Sequence, residues 1–460
     1  MVTTFKNKKI TVMGLGLFGG GVGVARFLIK QGAHVTVTDL RNSAELAQSL
    51  KQLEGMPITY KLGGHYEEDF INTDMIIVNP AIPKNSKYLQ IARSRHVPLE
   101  TEINIFFTLC PAPIIGITGS NGKSTTTTLT GLMLQLTLRK TWIGGNIGRS
   151  LLADIEGIKS SDIVVLELSS FQLDGLHDLQ KSPHISILTN ISPNHLDRHP
   201  NMEDYIRAKK SVVLYQKRGD YAVLNYDDPE LRKWEQDCKG NVLWYSTKYP
   251  QENGVFINNN NIALCVNGRQ NQWSCVDQIK IPGDHNLHNI LAASCAAFIM
   301  GAQEDHIYKV VTSFGGLEHR LEFVREVNGV CFYNDSKATT PESAIAAITA
   351  FKKPVILIAG GYDKGSSFEE FARVCAGNTK AVILIGKTAG KIKELVTKNK
   401  GLLERPLIER ANTFQEAFQL ACTLAQSGDV VVLSPACASY DMFINYEERG
   451  RQFKDMVWAL

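Results

Sequence analysis

The sequence predicts an α/β protein of three domains. Apolar, strand-like runs alternate with helical stretches along most of the chain, which is the pattern of a mainly parallel sheet. The chain also has 460 residues, more than the roughly 250–300 residues that one hydrophobic core supports. We therefore expect domains over residues 1–98, 99–316 and 317–460.

The N-terminal domain begins with a βαβ pattern. An apolar run at Ile10–Met13 leads through a glycine-rich turn into a helical stretch that ends near Lys30, and a second apolar run covers His34–Thr38. A further run at Met75–Val78 precedes the rigid segment NPAIP. These elements predict a Rossmann-like domain.

The central domain has the same alternation. An apolar run at Pro113–Thr118 precedes a glycine loop, a long helix begins near Lys123, and strands are expected at Asp162–Leu168 and His184–Asn190. Short apolar runs with Asn and Gly turns between residues 241 and 281 predict a small antiparallel addition to this mostly parallel sheet.

Strand-like runs return in the last third of the chain and predict a second Rossmann-like domain. They lie at Val330–Tyr333, Val355–Ile358, Ala381–Ile385 and Val430–Leu433.

Composition excludes several classes of protein. With 49 basic and 46 acidic side chains the formal charge is only +3, too small for a surface that binds nucleic acid. The 9 cysteines include no CxxC pair, which favours reduced thiols and a cytoplasmic protein. Neither a signal peptide nor a run of the roughly 18 apolar residues that a membrane span needs is expected.

The most informative segment is GITGSNGKST, residues 116–125. Its glycines let backbone N–H groups converge on phosphate oxygens, the following helix N-terminus adds partial positive charge, and Lys123 reaches the outer phosphates. Ser124 is placed to bind Mg²⁺. Ile117 occupies the first glycine position of the strict P-loop spacing, which points to a narrower family than P-loop proteins in general. The segment predicts ATP binding.

A second glycine turn, GLGLFGGG, begins at Gly14. Gly14, Gly16 and Gly19 have the GxGxxG spacing of dinucleotide-binding domains, and Asp39 follows the second strand. Taken alone this turn suggests an NAD-binding oxidoreductase, but the rest of the chain offers no hydride-transfer site. The additional glycines that follow, Gly20, Gly21 and Gly23, are interpreted as lengthening the flexible turn.

Several further motifs carry a resemblance to a known family. They are GGNIG (144–148), ELSSFQL (167–173), TNISPNHLDRH (189–199), GDHNLHN (283–289), LEHRLE (317–322) and NDSKATTP (334–341). Together with the phosphate loop they resemble the Mur ligase family of cell-wall amide-forming enzymes, over nearly the whole chain. Folylpolyglutamate synthases resemble only the central ATPase, since the resemblance gives them no domain like residues 1–98.

Within that family, HRLE followed by NDSKAT, and the late segment SPACASYDMFINYEERG (434–450), resemble members that add glutamate to UDP-N-acetylmuramoyl-L-alanine. The resemblance implies an acyl-phosphate intermediate made from ATP, in cytoplasmic peptidoglycan precursor synthesis. The alternatives are a sister Mur ligase, a ligase specific for L-glutamate, and an NAD(P)-binding regulatory protein with a relic P-loop. A monomer is expected.

The resemblance also implies the nucleotide and metal sites. Nucleotide-binding positions are Gly119, Ser120, Asn121, Gly122, Lys123, Ser124, Thr125, Asn286, Asn289, Arg320 and Asp335. One Mg²⁺ is expected at Ser124 and Glu167 and a second near His195 and Lys209, with Lys209 carbamylated by CO₂. Catalytic roles fall to Lys123, His195, Lys209, Arg320 and Lys337.

For the substrates, the resemblance implies two sets of residues. Leu17, Phe18, Arg41 and Asn146 match positions that bind the UDP-linked substrate, and the N-terminal domain is the UDP-binding one. Thr339, Lys364, Ser439 and Tyr446 match positions that hold glutamate.

Overall fold

The computed structural model describes residues 4–17, 19–147, 150–192, 199–266, 269–363, 365–400 and 406–460. The chain divides into two compact units. The first comprises Met1–Ser274 and His288–Val310, and the second comprises Cys275–Leu287 and Val311–Leu460.

A five-stranded parallel sheet begins the first unit. Its strands are β1 (Lys9–Met13), β2 (His34–Asp39), β3 (Ile58–Leu62), β4 (Met75–Val78) and β5 (Leu99–Glu100). The order β3-β2-β1-β4-β5, with every neighbour parallel, confirms the Rossmann-like prediction. The helices of this part are α1 (Gly20–Lys30), α2 (Ala47–Lys51), α3 (Glu68–Ile71), α4 (Lys87–Ser94) and the connecting helix α5 (Glu102–Leu109).

A nine-stranded sheet follows in the same unit. Its strands are β6 (Ile114–Thr118), β7 (Thr141–Gly145), β8 (Ile163–Glu167), β9 (Ile185–Leu188), β10 (Tyr221–Asn225), β11 (Asn241–Ser246), β12 (Gly254–Asn258), β13 (Asn261–Val266) and β14 (Arg269–Cys275). The order is β14-β13-β12-β11-β10-β9-β6-β8-β7. The β10–β11 and β11–β12 pairs are still parallel, so the expected antiparallel addition begins only with the β12–β13 pair.

The helices around this sheet are α6 (Lys123–Gln135), α7 (Ser170–Leu179), α8 (Met202–Leu214), α9 (Pro229–Arg232), α10 (Asp284–Ile299) and α11 (Glu304–Ser313). Short 3₁₀ segments lie at Leu152–Gly157, Glu235–Asp237 and Val276–Gln278. Every residue of β6, β8 and β9 is buried, as expected of parallel strands covered by helices on both faces.

The second unit contains a six-stranded sheet. Its strands are β15 (Glu322–Val327), β16 (Val330–Asn334), β17 (Val355–Gly360), β18 (Thr379–Ile385), β19 (Leu407–Arg410) and β20 (Val430–Leu433), in the order β15-β16-β20-β17-β18-β19. Among the described strands of this sheet, the β15–β16 pair is antiparallel and the other pairs are parallel. The helices are α12 (Pro341–Thr349), α13 (Glu369–Asn378), α14 (Ala389–Lys400), α15 (Phe414–Leu424) and α16 (Tyr446–Trp458).

The additional N-terminal glycines lie in a helix, so the interpretation that they lengthen the turn is wrong. Helix α1 already begins at Gly20. A Cβ on Gly21 would lie 2.4 Å from the carbonyl oxygen of Leu15, and one on Gly23 would lie 2.7 Å from Ser150. These glycines are needed because the helix packs closely against neighbouring backbone and side chains.

In the part of the chain that the structure describes, none of the helices combines the length and the apolar character that a membrane crossing needs.

Candidate functional site

The phosphate loop lies between the carboxyl end of β6 and the first residue of α6. Because β6 is flanked by β9 and β8, the segments that follow these two strands lie beside the loop. Ligands of parallel α/β sheets bind at this edge. The sheet order therefore brings the GITGSNGKST, ELSSFQL and TNIS segments together.

Two glycines of the loop have backbone angles that other residues rarely adopt. Gly119 has a φ of +147° and Gly122, the N-cap of α6, a φ of +82°. A Cβ on Gly119 would lie 1.9 Å from Thr189 Oγ1, and one on Gly122 would lie 2.2 Å from Asn289 Oδ1. Both positions therefore require glycine for conformation and for space.

Two lysines converge on the loop. Lys123 Nζ donates hydrogen bonds to the carbonyl oxygens of Gly119 (2.9 Å) and Ser120 (2.8 Å). Lys209 Nζ donates to the same Gly119 carbonyl (2.8 Å) and to Thr118 Oγ1 (3.1 Å). The structure thus brings together two amino groups that are 86 residues apart in the sequence (209 minus 123).

Lys209 is a buried lysine, with only 2% of its surface exposed. Its pKa lies well below the usual value, first because burial disfavours the charged form and second because Lys123 lies close to it; Glu167 opposes the shift. A lysine with a lowered pKa has a larger population of the neutral, nucleophilic amine.

Glu167 ends β8 and is 3% exposed. Its Oε2 accepts a hydrogen bond from Ser124 Oγ (2.7 Å), and its Oε1 accepts one from Asn146 Nδ2 (2.8 Å). The backbone N–H of Asn146 also donates to the Glu167 carbonyl (2.9 Å). The carboxylate is therefore held in a fixed orientation between α6 and the loop after β7.

These residues fit one Mg²⁺. A serine hydroxyl and a carboxylate 2.7 Å apart offer the hard oxygen ligands that Mg²⁺ prefers, and Mg²⁺ commonly completes its shell with phosphate oxygens and water. Among the described residues, no group of three or more His, Cys, Asp or Glu side chains is placed to hold a metal ion. The described part of the site therefore fits an ion shared with a phosphate ligand.

Sequence reasoning missed the residues that brace the loop from β9. Asn121 N–H donates to Asn190 Oδ1 (3.0 Å), and Thr189 Oγ1 donates to the Asn121 carbonyl (2.5 Å). Ser120 Oγ is hydrogen-bonded to Tyr205 OH (2.9 Å) and donates to a backbone carbonyl after β9 (2.8 Å). The sequence did contain a signal for these residues: TNIS follows the end of a predicted strand, and Tyr205 belongs to the YIRAK segment that contains Lys209.

The two predicted asparagines of α10 have different surroundings. Asn289 is 4% exposed, and its Oδ1 accepts a hydrogen bond from Thr126 Oγ1 of α6 (3.2 Å). Asn286 donates from Nδ2 to the Pro282 carbonyl (2.7 Å). Asn289 thus contacts the helix of the phosphate loop, while Asn286 belongs to the second unit. Thr125 is buried on α6.

The N-terminal glycine turn is organised by Asp39. Its Oδ2 accepts a hydrogen bond from Gly16 N–H (3.1 Å), and its Oδ1 accepts one from Arg41 N–H (2.9 Å). The Arg41 guanidinium lies 3.6 Å from the same carboxylate, and Leu17 is 48% exposed. Gly19, with a φ of +83°, caps α1, so the helix N-terminus faces this turn.

In the second unit, the HRLE and NDSKAT segments lie together. The buried Asp335 carboxyl accepts hydrogen bonds from Leu321 N–H (3.0 Å) and Ser434 Oγ (2.7 Å). Burial raises its pKa to about 7; the two hydrogen bonds, and to a smaller extent Arg320, oppose the shift. Lys337 Nζ lies 5.8 Å from the ring centre of Tyr446, whose pKa burial raises to about 12.

A buried arginine that sequence reasoning missed holds these loops. Arg449, 1% exposed on α16, donates to Ser336 Oγ (2.9 Å), to the Ser336 carbonyl (2.8 Å) and to the Cys437 carbonyl (3.2 and 3.3 Å). Burial lowers its pKa to about 10. It therefore joins the segment of Lys337 and Thr339 to the segment of Ser439.

Three predicted site residues, Phe18, His195 and Lys364, lie outside the described residues. Their assignment stays a prediction.

The fold and the phosphate loop define a nucleotide-binding α/β protein. Three family models match the chain: "Mur ligase MurD-like, N-terminal domain" over residues 8–100, "Mur ligase middle domain" over 117–297, and "Mur ligase, glutamate ligase domain" over 319–437. The chain belongs to the Mur ligase family.

Individual relatives agree with the family models. The chain is 42% identical over 455 residues to the UDP-N-acetylmuramoylalanine–D-glutamate ligase of Symbiobacterium thermophilum, covering 98% of each chain. It is 43% identical over 473 residues to the ligase of the same name from a Roseiflexus species, again covering 98% of each.

Among solved structures, the UDP-N-acetylmuramate-alanine ligase of Thermotoga maritima matches with a TM-score of 0.60 at 18% identity. That match covers 98% of this chain and 100% of the other. At this identity the structural match supports the fold alone.

Proposed function

We propose that the chain is an ATP-dependent ligase that joins D-glutamate to UDP-N-acetylmuramoyl-L-alanine and releases ADP and phosphate. The observation that carries this proposal is the 42% identity, over 98% of both chains, to a relative named for that activity. The reaction belongs to peptidoglycan precursor synthesis, and we place it in the cytoplasm, where ATP is available.

The chemistry requires activation of a carboxylate. A carboxylate oxygen of the alanyl group attacks the γ-phosphorus of ATP, the bond between γ-phosphorus and the bridging oxygen breaks, and ADP leaves. The amine of glutamate then attacks the acyl phosphate carbon, the C–O bond breaks, and phosphate and one proton leave as the amide forms. Phosphoryl transfer of this kind depends mainly on positioning and charge neutralisation.

The loop residues have the chemistry for this step. The backbone N–H groups at the N-terminus of α6, from Gly122 to Thr125, favour the β- and γ-phosphates. The Lys123 amino group neutralises charge that develops on the transferred phosphoryl group. Asn289 accepts a hydrogen bond from Thr126 of α6 and is proposed to contact the nucleotide.

Ser124 and Glu167 would hold the Mg²⁺ of MgATP, which supplies positive charge to the phosphate oxygens when bound. Their mutual hydrogen bond and the contact from Asn146 keep the oxygen ligands oriented. A second ion near His195 and Lys209 is part of the proposal.

We also propose that Lys209 is carbamylated. The neutral amine attacks CO₂, an N–C bond forms, and one proton leaves, so a cation becomes a carboxylate that suits a metal. The lowered pKa of Lys209 supports this reaction. With ¹³CO₂, the carbamate carbon should give an NMR signal that is missing in Lys209→Arg. A wild-type spectrum without that signal would remove the assignment.

In the second unit, Arg320, Asp335 and Lys337 are proposed to serve the nucleotide, and Thr339, Lys364, Ser439 and Tyr446 to serve glutamate. Fixed cations and donors suit a dicarboxylate substrate. In the first unit, Leu17, Phe18, Arg41 and Asn146 are proposed to contact the UDP-linked substrate.

The test is ADP release by the purified full-length chain with UDP-N-acetylmuramoyl-L-alanine and a panel of D- and L-amino acids. Turnover with D-glutamate and little with L-glutamate or other amino acids is expected. Turnover with another amino acid would favour a sister ligase, and turnover with neither glutamate enantiomer would refute the proposal. Light scattering on the same sample tests the expected monomer.

A further inference from the structure

The first turn of helix α1 contacts the central part of the first unit, which is the part built around the nine-stranded sheet. A Cβ on Gly23 would lie 2.7 Å from both Cβ and Oγ of Ser150, so helix and loop meet without room for another atom. Ser150 Oγ donates a hydrogen bond to Glu102 Oε1. The other Glu102 oxygen lies 3.5 Å from the position of a Cβ on Gly20, the first residue of α1. We call Gly20, Gly23, Glu102 and Ser150 the α1 clamp.

Both residues on the central side of the clamp have further contacts. Ser150 is 9% exposed, and its hydroxyl also accepts a hydrogen bond from Leu152 N–H (3.2 Å), which begins the 3₁₀ segment Leu152–Gly157. Glu102 is the first residue of α5, whose N-cap Thr101 accepts from Asn104 N–H (3.3 Å). The carboxyl is therefore fixed by a capped helix rather than carried on a loose loop.

The clamp also lies between two segments that are proposed to bind the same substrate. On one side, α1 begins directly after Gly19, at the end of the turn that carries Leu17, which is proposed to contact the UDP-linked substrate. The N-terminus of α1 suits the diphosphate of that substrate. On the other side, Ser150 lies four residues after Asn146, whose side chain contacts Glu167. Glu167 also accepts a hydrogen bond from Ser124 of the phosphate loop.

We propose that Glu102 and Ser150 are positioning residues for the UDP-linked substrate, because they fix the first turn of α1 against the segment that carries Asn146. This inference rests on the proposed function, which places the UDP-linked substrate at the turn before α1. Neither side chain is required to touch the reacting atoms.

A carboxyl group suits this position. Burial raises the pKa of Glu102 to about 7, and the hydrogen bond from Ser150 opposes the shift. Both the neutral and the ionised carboxyl accept a hydrogen bond from a hydroxyl, so the contact persists on either side of neutral pH. A partly neutral carboxyl also repels a diphosphate at the helix N-terminus less than a fully ionised one.

The test compares KM values for the three substrates in full-length variants. Glu102→Ala should raise KM for the UDP-linked substrate about tenfold. It should leave kcat, and the KM values for ATP and glutamate, within about twofold of the wild type. This pattern is expected when the lost interaction stabilises the bound substrate and the transition state equally. Glu102→Gln should restore the wild-type KM, because its amide oxygen still accepts from Ser150.

A matched control lies at the other end of the same helix. Glu156 contacts Lys30 (2.5 Å) and Gln31 (2.9 Å), again joining α1 to the central part. Glu156→Ala should leave every KM unchanged, because this pair is exposed and remote from the first turn of α1. If it raised KM as much as Glu102→Ala does, general loosening of α1 would explain the data and the clamp would be refuted.

Other outcomes also decide the proposal. An unchanged KM in Glu102→Ala, or equal changes for all three substrates, would overturn it. If Glu102→Ala does not fold, Ser150→Ala makes the same test, since it removes the donor and keeps the Cβ. Calorimetry with UDP alone separates the two proposals. A wild type that is inactive with every amino acid refutes the proposed function. Weaker UDP binding by the variants than by the wild type still supports the clamp in that case.

Discussion

At the scale of single residues, the hydrogen bonds of Glu167 support its proposed role as a Mg²⁺ ligand. Its two carboxylate oxygens are each engaged by one donor, from Ser124 and Asn146, and the side chain is almost fully buried. A group held in this way is suited to present oxygen to a metal without reorganisation.

Glu167→Gln should therefore abolish most activity without unfolding the protein. The amide keeps the size and one oxygen but loses the charge that would neutralise Mg²⁺, and we expect kcat to fall about 100-fold or more. Phosphate release at saturating MgATP measures the effect, with the melting temperature as the control for folding. A variant with wild-type kcat would remove Glu167 from the site.

Asp335 predicts a pH dependence of stability. Its pKa rises from 3.8 to about 7 in the folded protein, mainly through burial, so between these values the folded state holds more protons than the unfolded state. The stabilising contribution is complete below the unfolded pKa and is lost as pH rises through about 7.

Asp335→Asn should remove this contribution. The melting temperature of the wild type should fall more than that of Asp335→Asn between pH 5 and pH 7.5, and scanning fluorimetry at both pH values measures the difference. Parallel changes in the two proteins would show that Asp335 does not carry the effect.

At the scale of elements, the phosphate loop depends on Gly122. Alanine there would have a φ of +82° and a Cβ 2.2 Å from Asn289 Oδ1, so both the cap of α6 and the contact with α10 would be disturbed. We expect Gly122→Ala to weaken ATP binding about tenfold or more, and the backbone strain alone to cost about 1–2 kcal/mol. Titration calorimetry with an ATP analogue measures the affinity.

Gly219→Ala is the matched control, because a Cβ there meets no atom within 4 Å. It should bind the analogue like the wild type. Wild-type affinity in Gly122→Ala as well would show that the loop does not need glycine at this position.

The same element shows what sequence could and could not predict. The strand β6, the glycine loop and the start of α6 follow from an apolar run, glycines and a lysine that are local in the sequence. Lys209 contacts the Gly119 carbonyl from 90 residues further along the chain, so no local pattern predicted this contact; the family resemblance implied only that Lys209 belongs to the site, near a second Mg²⁺. The assignment of Gly20, Gly21 and Gly23 to a flexible turn was wrong. Glycine is required both in flexible turns and in closely packed helices, so the residue type alone does not distinguish the two.

At the scale of the whole molecule, the hydrophobic cores follow the two units. One core joins residues of the N-terminal part, such as Val12 of β1 and Phe27 of α1, to residues of the central part, such as Leu166 of β8 and Trp234, which follows α9. The second unit has its own two cores on the faces of its sheet. Length alone predicted several cores, but not that the first two predicted domains share one.

Calorimetric unfolding should therefore show two transitions, and UDP should raise the temperature of only the transition that belongs to the first unit, because a ligand stabilises the part it binds. Limited proteolysis during the melt identifies which unit each transition represents. A single transition that moves as a whole with UDP would contradict this division.

Oxygen transfer in a single turnover tests the acyl-phosphate chemistry most directly. With the alanyl carboxylate of UDP-N-acetylmuramoyl-L-alanine labelled with ¹⁸O in both oxygens, one labelled oxygen should appear in the released phosphate and the other in the new amide, because the C–O bond of the acyl phosphate breaks when D-glutamate attacks. Phosphate without ¹⁸O, or label in the nucleotide, would contradict the proposed reaction.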